Sequence, residues 1–487
     1  MRFRRPLRQA TLLALVAALA VPPAPAQMAS SLPDLGDASQ ADLSPAMERR
    51  AGEQVMREIR FRERSYVDDP ELENYLNAVG ARLVTAAGAS PQDFTFFALR
   101  DNTINAFAMP GGLIGVHTGL LLTTQTESEL ASVLGHEIGH IQQRHIARML
   151  AQQGNSSILV VASLIAAILA ARSNSNVPAA LASAGQAAAI QQQLGFSRDA
   201  EMEADRVGFS ILQAGGFDVQ GMPNFFERMQ RANRFNEGNA PNYLRTHPLT
   251  SDRVADTAAR AHDVRPRQVT DTPEFALLRA KLDAERGNAS DALARFQAQN
   301  GTSLTEQAAR WYGLTRVYLR ERQFEQATTA LAKLREFRYP SYMVETLGAD
   351  LLRAQGKHAE AARVCHDARA RWPAQSALMY CETQAWLAAN EPQKALDTTG
   401  GRILPDSQDY RRYALQAQAY EALGKPALQH RAQAELYVLQ GALPAAIDQL
   451  QMAQRGGTGD FYEQSIIDAR LRELRSRLRE EMDRNRR

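Results

Sequence analysis

The chain has 487 residues, too many for one core at about 100–200 residues per domain, so two or more folded domains are expected. Its 45% hydrophobic and 23% charged content is that of a globular protein. A net charge of +2, with no interleaving of basic and aromatic residues, argues against a polyanionic partner and against nucleic acid.

Arg2, Arg4, Arg5 and Arg8 precede an apolar run from Ala10 to Val21, and Ala24-Pro25-Ala26 follows it. A basic region, a short apolar run and an A-x-A site read as a cleaved secretory signal peptide over residues 1–26. The run falls short of the ~20 residues that a membrane span needs, which disfavours an uncleaved anchor. No cysteine lies near the cleavage site, so lipid attachment there is excluded, and the mature chain is expected to start at Gln27. Residues 27–45, rich in Ser, Pro, Asp and Ala, read as a mobile leader. Helical patterning predicts helices over 45–64 and 71–86. Short aromatic-rich stretches predict strands over 94–99 and 105–109, with another over 113–116, and Pro110-Gly111-Gly112 marks a turn. Thr126 opens a long helical stretch, with Glu129 three residues on as a possible capping box.

On that helix, His136-Glu137-Ile138-Gly139-His140 sets two imidazoles four residues apart. At 3.6 residues per turn they share a face and can hold one cation. Two such ligands leave room for a third protein ligand and a water, the arrangement of a catalytic zinc. Glu137 is not needed as a ligand, and its natural role is general base toward a metal-acidified water. The pentapeptide alone also occurs in unrelated helices. Context comes from Glu201-Met202-Glu203-Ala204-Asp205, where Glu201 and Asp205 share a helix face. Glu201 can be the third ligand while Asp205 orients a ligand histidine from behind. Glu203 points elsewhere and is the rival ligand. Without its histidine partner the segment would read as a solvated acidic face. A third element is Thr246-His247-Pro248-Leu249, with Asp252-Arg253 after it. His247 can donate to the oxyanion or occupy the open metal position and keep the enzyme latent; a structural loop histidine is the plain alternative. Arg253 can position substrate or the Glu201 helix, and a surface salt bridge is equally open. His145, five beyond His140, falls off the ligand face and reads as structural. His117, His262, His358, His366 and His430 carry no motif.

Between the two halves of this site, residues 158–171 are almost entirely apolar and 177–193 are rich in Ala and Gln. A helix apolar all round must be buried in something. A helical hairpin covering the site and a peripheral membrane contact are both open.

After about residue 265 strand-like stretches vanish. Ala327, Ala361 and Ala395 are spaced by 34, with Ala292 35 before them, and Tyr318, Leu352, Trp386 and Tyr420 keep the same spacing of 34. Pro340 and Pro373 fall where the second helix of each unit should end. This period resembles tetratricopeptide repeats, whose helix pairs pack a small residue against a large one, and a generic helical bundle would rarely hold it. Tyr437 with Ala446 suggests a last partial unit. Cys365 and Cys381 lie equally far on either side of Pro373, so antiparallel helices would bring them near each other. A disulfide and two buried thiols are both open. The charged tail from Phe461 reads as a solvated terminal helix. The expected division is a signal peptide (1–26), a leader (27–45), a zinc metallopeptidase domain (46–264), a tetratricopeptide-repeat domain (265–455) and a charged C-terminal helix (456–487).

The HEIGH pentapeptide, S-R-x-x-E-x-E-A-D over 197–205 and THPLTSDR over 246–253 together resemble the Ste24/HtpX-type family of gluzincin metallopeptidases. The resemblance implies an α+β gluzincin-like metallopeptidase domain, mostly helical with a small sheet, ahead of the all-α repeat solenoid. It implies one zinc ion (Zn2+) per chain held by His136, His140 and Glu201, with Glu137 as base and His247 as a regulatory histidine able to cap the zinc. Asn105, Ala106, Phe107, Ala108 and Met109 are similar to the family's edge strand beside the active site, where substrate can add as a further strand. The family's multi-span membrane members are not matched in the mature chain. With an export signal in front and repeats behind, the resemblance implies a periplasmic endopeptidase acting on unfolded or misassembled proteins. Through its repeats it would contact the outer-membrane β-barrel assembly machinery. A chaperone or adaptor, in which the solenoid dominates and proteolysis is rare, is the second reading. A metal-bound structural protein without catalysis is disfavoured because Glu137 is present.

Overall fold

The computed structural model describes residues 44–152, 196–234, 242–265, 267–405, 407–456 and 460–486. The expected signal peptide, nearly all of the leader and the apolar 158–171 and 177–193 segments lie outside them. Two helices headed by proline open the structure, α1 (Pro45–Arg62) and α2 (Pro70–Ala86). Proline suits the first turn because its missing N–H has no intrahelical partner there. The Ser44 hydroxyl accepts from Met47 N–H at 3.3 Å, and Asp69 accepts from Glu71 N–H at 2.9 Å.

Three strands follow, β1 (Thr95–Leu99), β2 (Ala106–Met109) and β3 (Leu113–His117), in the order β1-β3-β2. β1 runs parallel and β2 antiparallel to the central β3. Gly111 and Gly112 turn the chain between β2 and β3 at φ of 82° and 77°. A Cβ on Gly111 would also stand 2.7 Å from the Glu48 carbonyl of α1, so only glycine fits. The sheet is covered on both faces, which is why its strands are continuously apolar rather than alternating. Phe96, Ala98, Ile114 and Val116 face the main core, while Phe97, Leu99, Phe107 and Met109 pack on Val55, Met56 and Ile59 of α1. The sheet order puts β2, the strand expected over 105–109, at an edge, where it packs against a long helix.

That helix is α4 (Glu127–Gln142), preceded by the short α3 (Thr118–Thr123) and followed by α5 (His145–Gln152). The Thr126 hydroxyl caps α4 by accepting from Glu129 N–H at 3.2 Å. The Glu129 carboxylate reaches back one residue further than a capping box requires, to Gln125 N–H at 2.8 Å. The peptidase half closes with α6 (Arg198–Ala214), α7 (Gly221–Arg234), α8 (Asn242–Thr246) and α9 (Ser251–Asp263).

From Pro273 onward the described residues form only helices, stacked in pairs: α10 (Pro273–Glu285) with α11 (Ala289–Ala298), α12 (Leu304–Arg320) with α13 (Phe324–Glu336), and α14 (Tyr342–Ala354) with α15 (His358–Arg371). α16 (Ser376–Ala388), α17 (Pro392–Thr398), α18 (Tyr410–Ala422), α19 (Pro426–Leu439) and α20 (Leu443–Gly456) continue the array. The periodic alanines Ala292, Ala327, Ala361 and Ala395 sit on alternate helices, α11, α13, α15 and α17, and Ala446 sits on α20, all with no exposed surface. Ala361 packs in one cluster with Leu352, and Ala395 in one cluster with Trp386 and Tyr420. Cys365 on α15 and Cys381 on α16 are joined as a disulfide, with their Cα atoms 6.0 Å apart. The two-thiol alternative is thereby set aside.

The last helix, α21 (Phe461–Arg486), corrects one expectation. Its charged outer face is solvated, but Ile467, Leu471 and Leu474 are buried against α20. Arg470 forks onto both oxygens of Glu435 at 3.0 and 2.7 Å. The charge-rich composition hid an apolar stripe at helical spacing.

Candidate metal centre

α4 and α6 cross at unusually close range, and small residues are the reason. A Cβ on Gly208 would stand 2.8 Å from the backbone nitrogen of His136, and one on Gly139 would stand 3.0 Å from the Ala204 carbonyl. The approach brings the first turn of α6, capped by the Ser197 hydroxyl, against the histidine face of α4. Glu201 Oε1 then lies 3.4 Å from His140 Nε2, and Glu201 Oε2 lies 3.5 Å from His136 Nε2. His247, on the connection between α8 and α9, enters from the other side, with Nδ1 2.9 Å from Glu201 Oε1 and 3.3 Å from His136 Nε2.

One ligand atom each from His136, His140, Glu201 and His247 lies within 4.8 Å of the others. Three sequence-predicted ligands and the predicted regulatory histidine thus meet at one point, and none of the four is more than 2% exposed. The donor set fits a cation. The Nε2 atoms of His136 and His140 face each other at 2.9 Å, and Glu201, Glu137 and Asp205 place three buried carboxylates around them with Arg253 as counter-charge. Among the described residues neither oxygen of the fully buried Glu137 has a hydrogen-bond partner, although His247 Nε2 stands 3.6 Å from Oε1. A buried, unpaired carboxylate is costly and is kept where its chemistry is used.

Behind the donors, Asp205 Oδ1 lies 2.9 Å from His136 Nδ1. Arg253 is no surface residue. Thr250 caps α9 by accepting from Arg253 N–H at 3.3 Å, and the guanidinium, 2% exposed, forks onto Asp205 at 2.6 and 2.8 Å. It also reaches Glu201 Oε2 at 2.7 Å and the Pro248 carbonyl at 2.9 Å. The electrostatics follow from these contacts. Burial acts to raise the Glu201 carboxyl, but the charge of His247 and the hydrogen bond it makes to Glu201 overcome it and hold the group well below the usual carboxylate range. Asp205 is likewise held low against its burial, by Arg253 and His136. Burial pushes His140 well below the ordinary histidine value and so keeps its imidazole neutral, as a ligand must be.

Three residues that motif reasoning passed over also belong here. Tyr243 stacks on His247 with ring centroids 4.8 Å apart, and its buried hydroxyl has no partner among the described residues. Phe196 stacks on His140 at 4.0 Å. His145, expected to be structural, touches His140 directly, with the two Nδ1 atoms 2.8 Å apart. Glu203, the rival ligand, stands away from the donors and holds His145 and Arg148 instead.

Comparison with known proteins gives a consistent result. Residues 70–261 match the model of peptidase family M48. Over 471 residues the chain is 32% identical to the β-barrel assembly-enhancing protease of Escherichia coli, with 96% of each chain covered. It is 37% identical over 306 residues to the putative β-barrel assembly-enhancing protease of Vibrio cholerae, covering 62% of this chain and 63% of that one. A mitochondrial metalloendopeptidase of Schizosaccharomyces pombe is 30% identical over 219 residues, 44% of this chain and 60% of that protein.

Proposed function

The chain belongs to peptidase family M48 and is a metalloprotease; on that premise we propose that it is a zinc-dependent endopeptidase of the periplasm. Its substrates are the peptide bonds of misfolded or stalled proteins, in the quality control and assembly of outer-membrane proteins. The observation that carries the catalytic reading is the orphaned carboxylate of Glu137 beside the converging donors of His136, His140 and Glu201. Those three residues would hold the zinc, whose chemistry is to polarise the scissile carbonyl and lower the pKa of a water to about 7. Glu137 takes a proton from the attacking water and returns it to the leaving amine, a role open to it because no group among the described residues hydrogen-bonds to its oxygens. Asp205 and Arg253 orient His136 and hold α6 in place. β2, at the sheet edge, supports a reading in which substrate backbone pairs with Asn105 to Met109.

The export signature over residues 1–26 and the name of the Escherichia coli relative support the compartment and the outer-membrane connection. No helix among the described residues is long and apolar enough to cross a membrane. In this reading residues 46–264 cleave and 265–455 recruit the substrate or the assembly machinery. The position of His247 among the donor atoms favours a second reading, in which the site is held latent and the solenoid acts as chaperone or adaptor. Replacing His247 by Ala is then expected to raise the cleavage rate, whereas an oxyanion-donor role predicts a fall.

The test is cleavage of an unfolded model protein by purified wild type and Glu137→Gln, with zinc content measured in both. Loss of about 10²–10⁴-fold in rate at unchanged zinc content is expected. Equal rates in the two proteins would refute the assignment of the base.

A further inference from the structure

We infer that His145 and Glu203 form a positioning pair that fixes the proton and ring orientation of His140 for metal binding. The inference rests on the zinc reading above and extends it to two residues outside the converging donors. His145 Nδ1 lies 2.8 Å from His140 Nδ1, and His145 Nε2 lies 3.0 Å from Glu203 Oε2. Arg148 Nη2 donates to that same Glu203 oxygen at 2.7 Å.

The direction of this chain follows from its far end. A carboxylate already accepting from an arginine can only accept from His145, so the His145 proton sits on Nε2 and its Nδ1 is bare. A bare Nδ1 at 2.8 Å then requires His140 to carry its own proton on Nδ1 and donate it. That tautomer leaves the Nε2 lone pair of His140 facing Glu201 and His136, where a cation would be held. Running the chain the other way would put a proton on His140 Nε2, between donors, and close the site. A carboxylate behind a ligand histidine commonly sets its tautomer. Here the carboxylate works through an intervening imidazole.

The fold builds the pair deliberately. α4 ends at Gln142, and Arg144, at φ 51°, turns the chain so that His145 starts α5 facing back toward His140. His145 is 3% exposed, while the side chain of Glu203 is 39% exposed, so the pair runs from the buried donor cluster out toward solvent. The first histidine has an equivalent support in Asp205 and Arg253, so each histidine of the pentapeptide has its own acceptor for the Nδ1 proton.

Zinc affinity, by competition with a chromophoric chelator, and the visible spectrum of the cobalt-substituted protein test this on the full mature chain. His145→Ala is expected to weaken zinc about 10- to 100-fold. His145→Asn, which can offer an amide oxygen near the Nδ1 position, should recover most of that loss. Glu203→Ala should weaken zinc a few-fold and shift the cobalt spectrum. Its partial exposure keeps it informative should His145→Ala fail to fold. Wild-type affinity and spectrum in both His145→Ala and Glu203→Ala would overturn the pair and leave His145 a packing residue. A lowered melting temperature with unchanged affinity would do the same. A wild type that binds no zinc would instead strike the metal reading itself, and the inference would fall with it.

Discussion

Arg253 serves several acceptors at once, both oxygens of Asp205, one oxygen of Glu201 and the Pro248 carbonyl, from a position 2% exposed. Taking such a charge out of water costs several kcal/mol, and the two carboxylates offset it only while all three remain together. Arg253→Met therefore leaves two buried anions without their counter-charge. It is expected to destabilise the metal-free protein by about 3–5 kcal/mol, read from urea unfolding. The same contacts fix the pH response. Both carboxyls are held below their ordinary values, so their contribution to folding is complete above pH about 4 and is lost as pH falls through the lowered folded values. Acid should unfold the metal-free wild type, and Arg253→Met should flatten that dependence. Asp205→Asn keeps the shape but removes the charge facing His136 Nδ1 and one of the two charges offsetting Arg253, so zinc affinity should fall about 10- to 100-fold together with stability.

The crossing of α4 and α6 sets the distance between the histidines and Glu201, and glycines set the crossing. Gly208→Ala puts a methyl 2.8 Å from the His136 backbone nitrogen, a contact that backbone must move to relieve. Overpacking of this kind costs about 1–3 kcal/mol. Because the movement separates Glu201 from His136, zinc affinity should fall together with the melting temperature. Ser210→Ala, on the exposed side of α6, should change stability by less than about 0.5 kcal/mol. At this scale the sequence is readable where a period is intact. His136 with His140 and Glu201 with Asp205 share faces because each pair lies within one unbroken helix. The contact of His145 with His140 was not legible from a spacing of five, because the helix stops at Gln142 and Arg144 turns the chain back. Phe196 and Tyr243 stack on the histidines from segments distant in the chain, and no local pattern marks them. Buried alanines at a 34-residue period announce the solenoid, whereas the apolar stripe of α21 was masked by the arginines around it.

Across the whole molecule, the solenoid is clamped onto the peptidase half through α2. Lys281 of α10 is buried between Asp69 at 2.5 Å and Glu71 at 2.7 Å, and Arg411 of α18 reaches Asp68 and, at 2.6 Å, Glu73. Asn74 meets Ser376 of α16. α2 also packs on the sheet and on α4, so one helix links the repeat array to the histidine face. Lys281→Met removes the cation held between the half-buried Asp69 and the buried Glu71, which should cost about 3–5 kcal/mol and split unfolding into separate peptidase and solenoid transitions in calorimetry. Replacing all three groups together, Lys281→Met with Asp69→Asn and Glu71→Gln, removes the charges in balance and should restore much of the loss. The two variants then separate recruitment from cleavage. If the repeats deliver unfolded proteins to the metal centre, Lys281→Met should slow cleavage of an unfolded protein far more than that of a short peptide. Equal slowing of both would mean that the clamp acts by stabilising the metal centre itself, through α2 and α4, and that the solenoid has no part in delivery.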